Sequence, residues 1–215
     1  MIGILVYIER KVVIMKNVFG KAVLIGLMAV SARAFGGTPV AVSLFGTLPE
    51  RADVYGLHFS IACIGPISSC PNSVAGLSLG CLETGVGDGA MSGIQISGIH
   101  AGGACVYGLQ GGGIFAMAEK AAGIELAGVS SYCRKFKGVQ LAGLLTQADS
   151  CCGLQLAFYN GSASMCGVQI GVLNFAAPAK DGWVIQLGLV NGIGKDEKCT
   201  WTEGIRYLPI VNAGW

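Results

Sequence analysis

A glycine followed by an aliphatic, a polar and a second aliphatic residue recurs along this chain at an almost constant interval. The best copies are Gly93-Ile-Gln-Ile, Gly108-Leu-Gln-Gly, Gly123-Ile-Glu-Leu, Gly138-Val-Gln-Leu, Gly153-Leu-Gln-Leu and Gly167-Val-Gln-Ile, with steps of 15, 15, 15, 15 and 14 residues. Weaker copies precede them at Gly56-Leu-His-Phe and Gly76-Leu-Ser-Leu, and a slipped copy, Trp183-Val-Ile-Gln-Leu-Gly, follows. A short unit at a fixed period cannot bury its apolar side chains alone, so it must stack on its neighbours.

Taking each glycine as position one, position two is always branched aliphatic, from Leu57 to Val168. Position three is polar and position four returns to an aliphatic or Phe, except at Gly111. Position five is small throughout, from Ser60 to Gly171. Apolar, polar, apolar is the period of a strand. A helix is disfavoured, because each glycine in a helix interior costs about 1 kcal/mol relative to alanine. The expected arrangement puts the position-two column inside and the polar column of Gln95, Gln110, Glu125, Gln140, Gln155 and Gln169 along the stack. In-register amides at strand spacing bond to one another as a ladder; presented outward, the same column would be a regular polar face for a glycan, cell-wall or matrix polymer.

Two all-β architectures use a fifteen-residue unit. In a β-solenoid each unit is one coil and like residues stack at the strand spacing of about 4.8 Å. In an outer-membrane β-barrel neighbouring strands are antiparallel, so the natural repeat is a hairpin of about thirty residues, flanked by aromatic girdles. The period is fifteen and aromatics are 8% of the chain, without a recurring column. Both points favour the solenoid. A terminal aromatic, Trp215, speaks for the barrel, while Pro209 in the same closing segment weakens its reading as a central strand.

The N-terminus reads as an export signal. From Met15, Lys16 and Lys21 form a basic region, Ala22 to Val30 an apolar one, and Ala32-Arg33-Ala34 a small-x-small cleavage site. Residues 1–34 are thus the expected signal peptide, with Met15 the expected true start. Residues 35–55 then form a lead-in or cap, 56–181 the repeat array, and 182–215 the slipped repeat with a C-terminal cap. The apolar run is well short of the roughly twenty residues of a membrane-spanning helix.

Gly153-Leu-Gln-Leu-Ala-Phe-Tyr-Asn160 and Gly167-Val-Gln-Ile-Gly-Val-Leu-Asn174 resemble the G-[LV]-Q-[IL]-G-[LV]-x-N units of a bacterial surface-repeat family of largely unknown function, known from leptospires and other Gram-negative bacteria. Val40 to Phe45, Asp53 to Leu57 and Arg206 to Asn212 are similar to its leading and closing segments. The resemblance implies an exported surface protein and brings no cofactor or catalytic residue. The chain departs from the family unit at position eight, where Asn is replaced by Cys63, Glu83, His100, Phe115, Ser130 and Leu145 in the first six units.

Nine cysteines, an odd number, in an exported chain invite a disulfide reading. Cys151 and Cys166 are fifteen apart, so stacking would place them side by side and make them the candidate pair. A buried, hydrophobe-like role for the cysteines is the alternative. Metal binding lacks ligand spacing: Cys151-Cys152 is not C-x-x-C, and His58 and His100 are far apart in sequence. No nucleophile elbow accompanies the serines, and Gly111-Gly-Gly113 lacks the strand-loop-helix setting of a phosphate cradle. A formal charge of +2 without a basic cluster beyond the N-terminal region gives no nucleic-acid surface. The expected function is a non-enzymatic, cofactor-free structural or adhesive surface-repeat protein, with an outer-membrane pore or anchor as the alternative.

Overall fold

Glycine sets the pitch of this fold. In the computed structural model, which describes residues 37–43, 47–48, 53–61, 70–194 and 206–214, the position-one glycines from Gly56 to Gly167 all carry positive φ, between 119° and 145°. A methyl group built on any of them would lie 2.5 Å or less from the backbone carbonyl oxygen of the preceding coil, at Gly76 for Gly93 and at Gly123 for Gly138. No residue with a Cβ fits there, so successive coils approach backbone to backbone at this corner.

The chain is all-β and winds as a β-solenoid of about 9 turns. Strands β1 (Thr38–Ser43), β3 (Asp53–Ser60), β4 (Ser73–Gly80) and β6 (Ala90–Ser97) lead into the long β7 (His100–Gly112), β8 (Phe115–Ala127), β9 (Ser130–Ala142), β10 (Leu145–Leu156) and β11 (Tyr159–Ile170). They are followed by β12 (Leu173–Pro178) and β13 (Val184–Ile193). Each is parallel to the next, and from β6 to β11 the repeat columns stay in register without a slip. The short β5 (Glu83–Gly85) joins β7 on a second wall. Parallel order ends at both termini: β2 (Thr47–Leu48) is antiparallel to β1, and β14 (Arg206–Gly214) is antiparallel to β13. Pro209 lies in this outermost strand, where a missing N–H is tolerated.

The barrel alternative is overturned: the strand path runs open from β14 to β2 and its neighbours are mostly parallel, whereas a membrane barrel closes and alternates in direction. The expected signal peptide, residues 1–34, lies outside the described residues, as do parts of the two expected caps.

The expected inside and outside of the repeat strand are reversed. Position two faces solvent, with Ile94 44%, Ile124 43% and Ile185 38% exposed, and so does position four, with Ile96 at 46%. The polar column at position three is wholly buried, from His58 and Ser78 to Gln186. The apolar core is supplied by residues two before each glycine, Val54, Val74, Met91, Val106, Ala121, Phe136, Cys151 and Met165. These share the parity of the small residues at position five.

The reversal is possible because every buried amide is satisfied on its donor side. Gln95 Nε2 reaches across the interior to the carbonyls of Gly102 at 2.9 Å and Thr84 at 3.1 Å, and Gln110 Nε2 to that of Ala101 at 2.9 Å. Further along, the amides bond coil to coil: Gln155 donates to Gln140 at 2.9 Å, Gln169 to Gln155 at 2.8 Å and Gln186 to Gln169 at 2.8 Å. Burying a polar group costs only where its hydrogen bonds are lost.

Where the step shortens to 14 residues, one corner residue is missing and an asparagine takes over its hydrogen bonding. Asn160 Nδ2 donates to the Ala157 and Ile170 carbonyls and to Asn174 Oδ1 at 2.7 Å. Asn174 repeats this toward Asn191, also at 2.7 Å. The register aligns Asn160 with Thr146, Ser131 and Ala116, so the residues compared at position eight, such as Ser130 and Leu145, belong to a neighbouring column.

Candidate functional site

The outward parity of the repeat strand builds one continuous surface. Positions two and four of nine successive strands, from Leu57 and Phe59 to Ile185 and Leu187, are Leu, Ile, Val or Phe at every place but Gly111. None carries a charge. A second apolar column, including Ile99, Ile114, Val129, Leu144 and Phe158, turns the adjoining corner and is also exposed. At about 4.8 Å per strand the face is about 38 Å long, and with its corner column about 20 Å wide. That is roughly 800 Å² of near-continuous apolar surface, above the largest patch usual on a monomer.

The face is notched where glycine interrupts it. Glycines 111 to 113 leave a shallow, open depression of about 460 Å³, lined by Ile96, Leu126, Leu141 and Leu156. An added Cβ at Gly111 would meet nothing nearer than 3.8 Å, whereas one at Gly113 would lie 2.0 Å from the Gly98 carbonyl oxygen, so only Gly113 marks a close backbone approach.

Charge is gathered on another wall, where Glu119, Lys120, Arg134, Lys135 and Asp149 are exposed. Arg134 and Asp149 lie 3.7 Å apart and well exposed, a pair that contributes little to stability. The molecule is thus amphipathic in cross-section, one wall aliphatic and another charged.

The Gln and Glu candidates, Gln95, Gln110, Glu125, Gln140, Gln155 and Gln169, are brought together as one buried column, which removes them as a ligand-binding face. Glu125 is the one acid among them. Burial pushes its carboxyl up to about 8, against a smaller opposing effect from the Ser131 hydroxyl, which donates to Oε1 at 2.8 Å. His58 sits between the Ser43 and Ser78 hydroxyls, each at 2.8 Å, and burial pushes it down to about 4. His58 is therefore a neutral core residue. His100 lies 42 residues on, against Glu83 Oε1 at 3.1 Å, and the two histidines do not meet. Among the described residues no group of three or more His, Cys, Asp or Glu side chains could hold a metal ion.

The expected Cys151 and Cys166 pair is not formed. Cys151 is in register with Met165 and buried, because the 14-residue step moves the next coil by one place. Cys166 is in register with Cys152 instead, and both point outward.

Sequence reasoning missed the aliphatic face and the Cys152 pairing. The signal for the first was present in the small position-five residues and the apolar residues before each glycine, which fix the inner parity. No family model, curated protein or solved structure matches this chain.

Proposed function

We propose that this chain is a non-enzymatic, exported structural protein of the bacterial surface, kin to the repeat proteins it resembles, that docks through its aliphatic face onto a second copy of itself. The observation that carries the reading is the uncharged, in-register aliphatic surface running over nine strands. Its area, about 800 Å², equals what each partner buries in a standard stable interface. Straight columns at equal spacing are self-complementary, since the ridges of one sheet enter the furrows of another at about 10 Å separation. The face also buries no unpaired charge when covered.

Recovery of the chain from the periplasm or surface of a Gram-negative host expressing it from Met15 tests the export; retention in the cytoplasm would remove it. Sedimentation of the exported chain tests the docking. A dimer is expected, and the double variant I94E/I124E is expected to be monomeric with an unchanged β-rich circular dichroism spectrum. A monomer that floats with neutral phospholipid vesicles would replace the second copy with a lipid surface. A monomer that ignores vesicles would overturn docking through this face.

A further inference from the structure

We infer that Cys152 and Cys166 are a disulfide site, a covalent staple across two successive coils that closes when the chain meets an oxidising compartment. Four observations meet at this position. The two residues are in-register partners in the parallel pair β10 and β11, where neighbouring Cα atoms stand about 4.8 Å apart, inside the span a disulfide accepts. Their thiols are near enough to act on one another, Cys166 being the largest influence on the Cys152 thiol. Both side chains lie on the outside of the coil, Cys152 exposed and Cys166 half-buried, so an oxidant reaches them. Lys137 precedes Cys152 in the same column and its ammonium favours the thiolate.

No other in-register cysteine pair exists among the described residues. Cys133 faces Ala118 and Ala148, Cys151 faces Phe136 and Met165, and Cys105 faces Ala90 and Lys120. Cys133 and Cys151 are moreover buried, and burial raises each thiol to about 12, which keeps them inert as small core hydrophobes.

The staple needs a two-electron oxidant, and a donor disulfide supplies it. The Cys152 thiolate attacks one sulfur of the donor, forming a mixed disulfide and expelling the first donor thiolate. The Cys166 thiolate then attacks Cys152 Sγ, forming the S–S bond between coils and expelling the second. Two protein thiols are oxidised, the donor is reduced to two thiols, and the protons from Cys152 and Cys166 end on those products. The neighbouring Cys166, with burial, holds the Cys152 thiol above its usual range. Closure is therefore expected to quicken as pH rises.

The bond would close one coil, 152 to 166, at the place where the repeat shortens from 15 to 14 residues. It is independent of the docking face. The test uses the full chain, reduced and then held in oxidised glutathione, with peptide mapping by mass spectrometry. A peptide linked through Cys152 and Cys166, two hydrogens lighter than the pair of free peptides, is expected. Closing such a coil is expected to raise the thermal midpoint by roughly 6–12 °C over the reduced protein. That rise should be absent in C152S, whose exposed site leaves the fold intact. Free Cys152 and Cys166 thiols in the oxidised protein, or Cys152 linked to Cys81 or to another molecule, would overturn the inference.

Discussion

Replacing Glu125 by glutamine should stabilise the protein, by an amount that grows with pH. The amide ladder has a direction: each donor belongs to the later coil, as in Gln155 to Gln140. It is interrupted at Glu125, where Gln140 Nε2 donates to Ser131 Oγ instead and the Ser131 hydroxyl donates to Glu125 Oε1. Glu125 Oε2 and Gln110 Oε1 are then left buried without a hydrogen-bond partner. An amide at position 125 keeps the donor and acceptor of the protonated carboxyl and removes the ionisable group.

The folded protein holds the Glu125 proton up to about 8, while an unfolded chain releases it near 4.5. Between those values the folded state binds one proton more, so stability falls as pH rises, at about 1.4 kcal/mol per unit. The loss is absent below 4.5, about 3 kcal/mol at neutral pH and complete, at 4–5 kcal/mol, above 8. At pH 4.5, where the folded protein holds the Glu125 proton, Glu125→Gln should change stability by less than about 1 kcal/mol. At neutral pH the gain should be about 3 kcal/mol, or roughly 6–12 °C in thermal midpoint. Denaturant unfolding of both proteins from pH 4.5 to 8.5 measures this. A constant difference across that range would refute a buried, protonated Glu125.

His58 carries the opposite sign: it is neutral when folded and protonates near 6.5 when unfolded, so stability should fall as pH drops from 6.5 toward 4. His58→Gln should flatten that acid limb by about 3 kcal/mol in unfolding titrations. Gly138→Ala should cost about 3 kcal/mol or more in denaturant unfolding, because it combines positive φ with a backbone clash, whereas Gly111→Ala should be neutral or stabilising by up to about 1 kcal/mol. Asn174→Ala should cost about 3 kcal/mol in the same assay, since it removes the donor to Leu187 O and Asn191 Oδ1 and the acceptor for Asn160.

The stacking was legible from the period, and so were two of its consequences: in-register columns and a bonded glutamine ladder. The aliphatic face was not, although its position-two and position-four residues had been singled out. Cys152 was passed over for Cys151 because one deleted corner residue between Ala157 and Asn160 shifts the column, and spacing alone does not say where a coil loses its residue.

The sequence by itself therefore determined the repeat length, the strand character of each unit and which residues share the columns from position one to position five. Tertiary structure alone decided which columns lie inside. Strand alternation has two parities, and hydrophobicity chose the wrong one, because the coil's interior is selected by what the opposite wall can accept. Small residues such as Ala101, Ala116 and Ser131 line that wall and leave room for long amides. Backbone carbonyls across the interior, together with the next amide along the stack, then satisfy the donors that burial takes from water.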